Sequence, residues 1–75
     1  MKDYIASMDI KTWLEKNRYS QADLAGMIGV TQGAVSQWLL GNIKLSAERA
    51  IAIERATKGE VTREELRPDI FERAA

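Results

Sequence analysis

The chain repeats one short pattern, in which an apolar residue precedes Ser, Thr or Asp and a second apolar residue follows four positions later. The polar members of the pattern are Asp9, Ser20, Thr31, Ser46 and Thr62. Such a side chain accepts a hydrogen bond from an N–H group that the first helical turn leaves unpaired, while the two apolar residues pack across it. The pattern predicts five short helices, near residues 9–17, 20–28, 31–40, 46–58 and 62–67.

The predicted helices are followed by residues that end helices. Three glycines suit the left-handed conformation common at C-terminal ends: Gly29, Gly41 and Gly59. Pro68 prevents the fifth helix from continuing. No segment has the sustained alternation of a strand, although residues 61–62 and 69–71 suit short extended pieces if the C-terminus pairs with another chain. The fold class expected is all-α, a compact bundle of five short helices.

Helical spacing of the apolar residues predicts the core. The candidates share one face of each helix, and they are Ile10, Trp13, Leu14, Leu24, Ala25, Ile28, Val35, Trp38, Leu39, Ala50, Ile53, Val61 and Leu66. The 75 residues suit a single domain, 1–75, with 60–75 as a possible dimerisation or tail segment. Because so short a chain hides only about 60% of its unfolded surface, we expect a partner subunit to complete this core.

The composition argues against an enzyme. The chain has no Cys and no His, so the commonest acid–base group and the usual transition-metal ligands are missing, and we expect no cofactor and no metal. Glu64 and Glu65 are adjacent carboxylates, but neighbouring helical positions point about 100° apart and do not converge on one substrate. Glu65 suits a capping box with Thr62, three residues before it.

Residues 20–40 have the layout of a helix-turn-helix, in which one helix supports a second that enters a DNA groove. The net charge of zero is unusual for a nucleic-acid binder. However, residues 24–43 contain no charge, and cations flank them at Lys16, Arg18, Lys44 and Arg49. The acidic residues gather towards the C-terminus, at Glu60, Glu64, Glu65, Asp69 and Glu72. A basic rim around an uncharged surface is therefore compatible with a neutral chain.

The second helix of this motif is expected to present four residues to DNA. Ala25 is small where the two helices cross, Gly29 supplies the turn, and Val35 and Trp38 anchor the second helix from beneath. The residues left on the outward face are Gln32, Gly33, Ser36 and Gln37. A Gln amide pairs bidentately with adenine, which contributes about 1–3 kcal/mol of discrimination, and Ser bonds less selectively.

The spacing of Gln21, Ala25, Gly29, Val35 and Trp38 resembles that of the Cro and repressor-type helix-turn-helix family of phages and bacteria. The resemblance is close over residues 21–40 and loose over the first and fourth helices, and residues 52–71 look like the smaller Cro or YdaS-type regulators. It implies that Gln21 contacts a phosphate and that Gln32 and Gln37 meet base edges.

Two positions depart from the better-known repressors. Gly33 stands where many have a polar base-contacting side chain, and Leu40 where a polar phosphate contact is common. Gly33 also lowers helix propensity by roughly 1 kcal/mol relative to Ala. Either the backbone approaches DNA closely at Gly33, or the glycine is a tolerated weak spot.

Phosphate contacts supply most of the salt-dependent affinity of DNA-binding proteins. The candidate phosphate-binding side chains are few: Lys16, Arg18, Gln21, Thr31, Asn42 and Lys44. The backbone amides at the Ser20 and Thr31 caps can add anion contacts. A homodimer would double these phosphate contacts. Its two-fold symmetry predicts a palindromic operator, with the two recognition helices about 34 Å apart. The expected dimer surface comprises Val61, Leu66, Ile70 and Phe71.

These features predict a Cro-type repressor that binds double-stranded DNA. The alternative is a YdaS-type, antitoxin-like protein with a toxin partner, whose helix-turn-helix serves autoregulation. No apolar run approaches the roughly 20 residues of a membrane span, and residues 1–11 lack the apolar segment of a signal peptide. We therefore expect a cytoplasmic, bacterial or phage-encoded protein that acts at the nucleoid.

Overall fold

All five predicted cap residues begin helices. A computed structural model describes residues 8–71, which form α1 (Ile10–Asn17), α2 (Gln21–Ile28), α3 (Gln32–Leu40), α4 (Ala47–Ala56) and α5 (Arg63–Leu66). Within this range no residue lies in a strand, so the all-α prediction is confirmed and the extended pieces at 61–62 and 69–71 are not seen. Residues 72–75, including Glu72, lie outside the described range, as do residues 1–7.

The caps form the hydrogen bonds that the pattern predicts. Each cap side chain accepts from the N–H group three residues later, at 2.8 Å for Asp9 and 3.0 to 3.2 Å for Ser20, Thr31, Ser46 and Thr62. At Ser20 the bond is reciprocal, because the Asp23 carboxylate accepts from the Ser20 N–H at 2.8 Å. These contacts are local in sequence, which explains why the helix starts were predictable.

The predicted ends of α1, α2 and α3 are confirmed, whereas α4 and α5 end two residues and one residue earlier than predicted. Gly29 and Gly41 end α2 and α3 with φ of 75° and 81°. α1 ends at the predicted Asn17 and is followed by Arg18, which has a left-handed φ of 61° without being glycine. Gly59, with φ of 85°, adopts the predicted left-handed conformation, but α4 ends at Ala56, before the predicted residue 58. There the buried Thr57 hydroxyl accepts from the Val61 N–H at 3.1 Å and lies 3.2 Å from the Glu54 carbonyl oxygen. This contact turns the chain towards α5.

The core lies between α1, α2, α3 and α4 and is closed by the segment around α5. Its buried apolar residues are Ile10, Trp13, Leu14, Leu24, Ala25, Val35, Leu45, Ala50, Ile53 and Val61. Leu45 was missing from the predicted core because it lies in a connection rather than on a helical face. Four predicted members are half-buried and pack against this cluster: Ile28, Trp38, Leu39 and Leu66.

The placement of Val61 on a dimer surface was wrong. Its side chain is fully buried, since α5 folds back over the core. The entry to α5 is fixed by the Thr57 contact and by an ion pair of 2.6 Å between Arg63 Nε and Glu54 Oε1. Phe71 also packs against the core, with the Arg63 guanidinium 5.5 Å from its ring centre. Of the four predicted dimer residues, Ile70 is the most exposed, at 45%.

Candidate nucleic-acid interface

Helices α2 and α3 pack against each other across buried apolar side chains. Leu24 and Val35 are completely buried, and Ala25 is 3% exposed. The turn between the helices is closed by Ala25, whose carbonyl oxygen accepts from the N–H groups of Gly29 and, at 3.0 Å, Val30. The core therefore fixes α3 on α2 from one side and leaves the opposite side of α3 in solvent.

The predicted base-contacting residues lie on the first two turns of α3. Gln32 and Gly33 are exposed, while Ser36 and Gln37 are half-buried. An alanine Cβ at Gly33 would lie 3.9 Å from the Thr31 hydroxyl oxygen, which is an ordinary contact. Packing within the chain thus gives no reason for glycine at this position.

Both glutamines of this face are paired with residues that were predicted to contact phosphates. Gln32 Nε2 donates to Gln21 Oε1 at 3.4 Å, which links α3 to the start of α2. Gln37 Oε1 accepts from Asn42 Nδ2 at 2.9 Å. The second pair was not predicted, although the sequence Gly41–Asn42 after a helix is a recognisable signal for a chain that folds back over the last turn.

Two of the predicted phosphate-binding cations are paired with acidic residues from the C-terminal half. Lys16 Nζ lies 3.4 Å from Glu60 Oε2, and Lys44 Nζ lies 4.0 Å from Asp69 Oδ2. The Lys44 side chain is nevertheless 78% exposed. Exposed pairs of this kind stabilise a protein by about 0–1 kcal/mol, so a phosphate group can displace the carboxylate.

Arg67 connects the C-terminal segment to the loop after α3, a role that the sequence analysis missed. Its Nε and Nη2 donate to the two carboxylate oxygens of Asp69 at 2.9 and 2.6 Å, and its Nη1 donates to the Leu45 carbonyl oxygen at 2.6 Å. The hydrogen bond from Arg67 is the main reason why the pKa of Asp69 is lowered to about 2. The charged Asp69 is therefore held beside Lys44 at neutral pH.

The described residues contain no group of three or more acidic side chains placed to hold a metal ion. Within the same range, no helix has the length and apolar character needed to cross a membrane.

Comparison with known proteins finds similarities to bacterial and prophage regulators. A family model described as bacterial toxin YdaS matches residues 16–75. The chain belongs to the YdaS family. It is 56% identical over 50 residues to YdaS of Escherichia coli K12, which is named as a transcriptional regulator; the match covers 67% of this chain and 51% of that protein. The chain thus spans about half the length of this relative.

Two further similarities cover more of the matched proteins. The chain is 36% identical over 59 residues to a prophage transcriptional regulatory protein of E. coli K12, covering 79% of this chain and 89% of that protein. The Cro protein from prophage element Xfaso 1 of Xylella fastidiosa Ann-1 superposes with a TM-score of 0.73 at 41% identity, covering 85% of this chain and 95% of that structure. The resemblance to Cro and YdaS-type regulators is confirmed.

Proposed function

We propose that this chain is a DNA-binding transcriptional regulator of the Cro type, which represses by occupying an operator. The observation that supports this most directly is the uncharged polar face of α3, which lies opposite the buried Val35, with exposed lysines before α2 and after α3 in the sequence. A helix in this arrangement suits the major groove, where Gln and Ser side chains meet base edges. The names of the relatives agree with this function.

In this proposal two sets of side chains have different tasks. The base-contacting set is Gln32, Gly33, Ser36 and Gln37, and the phosphate-binding set is Lys16, Arg18, Gln21, Thr31, Asn42 and Lys44. Binding requires Lys16 and Lys44 to exchange their carboxylate partners for phosphates. Because both partners lie on the same chain, part of the electrostatic gain on DNA is offset by the ion pairs that are lost.

The small number of cations favours a homodimer on a palindromic operator, in which two copies double the phosphate contacts. With Val61 in the core, we place the dimer contact at the exposed side chains Ile43 and Ile70. Ile43 lines a surface groove together with Pro68 and Asp69, which directly precede Ile70. Leu66 and Phe71, both half-buried, contribute only their outer edges.

The decisive experiment is selection of bound sequences from a random DNA pool, followed by binding measurements on the selected site at several salt concentrations. Gln37→Ala should relax the preference at one base position, whereas Lys44→Ala should weaken binding to all sequences and reduce the salt slope by about 1. Lys58→Ala removes the same charge from an exposed residue outside the phosphate-binding set and should leave binding unchanged. Equal affinity of the chain for selected and unselected DNA would contradict the proposal.

A second candidate function is supported by the family description, which names a toxin. In this second candidate the chain is itself a toxin, unlike the antitoxin-like alternative that the sequence suggested, and its helix-turn-helix serves autoregulation. Controlled expression of the chain alone separates the two functions. Growth arrest that persists in the Gln37→Ala variant would favour the alternative, whereas normal growth together with selective DNA binding would favour the regulator.

A further inference from the structure

The end of α3 holds Asn42 over Gln37. Gly41 adopts the left-handed conformation and its N–H donates to the Trp38 carbonyl oxygen at 3.1 Å. The Asn42 N–H donates to the Gln37 carbonyl oxygen, also at 3.1 Å. These two bonds form a Schellman motif, which brings the second residue after the helix back over the residue five positions earlier. The position of Asn42 relative to Gln37 is therefore set by the backbone.

The side chains of the same two residues form a further hydrogen bond, with Asn42 Nδ2 donating to Gln37 Oε1 at 2.9 Å. A Gln amide has one end that only accepts and one end that only donates. Because the accepting end is turned towards Asn42, the donating Nε2 group is directed away from it. Gln32 shows the opposite arrangement: its Nε2 donates to Gln21, so its oxygen is the end of the amide that this bond does not use.

We propose that Asn42 determines the base specificity of Gln37 by presenting its Nε2 group, and not its oxygen, to the DNA. An unconstrained Gln recognises adenine by donating to N7 and accepting from N6, whereas guanine offers two acceptors, N7 and O6. A Gln that presents only donors therefore favours guanine over adenine, while thymine, with O4 as its one acceptor, is the weaker match. Asn42 is in this respect a positioning residue, and the proposal rests on the DNA-binding function proposed above.

The test inverts the polarity of the pair. Asn42→Asp replaces the donor with a carboxylate, which accepts from Gln37 Nε2 and turns the glutamine oxygen outward. Lys44→Gln is the matched control, because it makes the same change of one charge in the same loop without altering the partner of Gln37. Asn42→Ala removes the partner altogether and adds no charge.

Affinities are measured for the four bases at the position where Gln37→Ala loses discrimination. We expect the unaltered chain to prefer guanine over adenine by about tenfold, the lower range of a good base contact. Asn42→Asp should reverse this order in favour of bases with an amino group. Asn42→Ala leaves Gln37 unconstrained and should shift its preference from guanine towards adenine. Lys44→Gln should weaken binding to all four bases equally.

The outcomes separate this inference from the proposed function. If the unaltered chain selects a site but prefers adenine there, or if both Asn42 variants only weaken binding uniformly, the inference is wrong and the DNA-binding function stands. If the unaltered chain selects no sequence, both fail. In the free protein, Asn42→Ala should shift the NMR signal of the Gln37 side-chain amide, and an unchanged signal would refute the contact. Far-UV circular dichroism checks that each variant is folded. If Asn42→Asp is unfolded, the base preference of Asn42→Ala alone tests the inference.

Discussion

Two glycines in and after α2 provide a controlled test of why the helix-turn-helix turns where it does. A Cβ added at Gly26 or at Gly29 would meet no atom within 4 Å, so alanine enters open space at both positions. The positions differ in backbone conformation, because Gly26 lies within α2 and Gly29 has φ of 75°. Replacing a helical glycine by Ala stabilises by about 0.5–1 kcal/mol, whereas an L-residue in the left-handed conformation costs roughly 1–2 kcal/mol.

The two substitutions should therefore change the free energy of unfolding in opposite directions and differ by about 1.5–3 kcal/mol. Thermal unfolding followed by circular dichroism measures this difference, since each kcal/mol shifts Tm by roughly 4–8 °C in a domain of this size. Gly29→Asn serves as a control, because Asn tolerates the left-handed region and should recover part of the loss. If Gly26→Ala and Gly29→Ala shift Tm in the same direction, the positive φ is not the reason for glycine at the turn.

Three further predictions concern the site, the core and the acid range. Gly33→Ala should raise the free energy of unfolding by up to about 1 kcal/mol, because Ala favours the helix and the added methyl makes only an ordinary contact with Thr31. A loss of DNA affinity in the same variant would show that the backbone at Gly33 approaches DNA closely. Val61→Ala removes two fully buried carbon atoms and should lower the free energy of unfolding by about 2 kcal/mol, as measured in urea, at every protein concentration. A loss of stability that varies with protein concentration would instead indicate that Val61 lies in a subunit interface. Because the pKa of Asp69 is lowered, its contribution to stability is present above pH 4 and is lost as the pH falls towards 2. Asp69→Asn should therefore lower Tm at neutral pH and have the same Tm as the unaltered chain at pH 2. An equal loss of Tm at both pH values would contradict the contact with Arg67 as the cause of the lowered pKa.

The helix starts, the turn of the helix-turn-helix and most of the core followed from the sequence. A cap and its hydrogen bond involve residues three apart, and an apolar face repeats within one helix, so both are local patterns. The outward position of Gln32 and Gly33 follows in the same way, since the burial of Val35 determines which side of α3 faces solvent.

The tertiary structure alone decided which partners meet across the chain. Lys16 meets Glu60 and Lys44 meets Asp69, pairs that no local pattern links. Val61 was predicted on a dimer surface because the C-terminal segment is too short to form a core of its own, yet α5 folds over the main core and buries it. The sequence by itself thus determined what each short segment forms, because capping, turns and helical periodicity act over a few residues. Only the packing of α5 and of the loop after α3 decided that Val61 is buried and which charges pair across the chain, because those contacts depend on how distant segments are oriented.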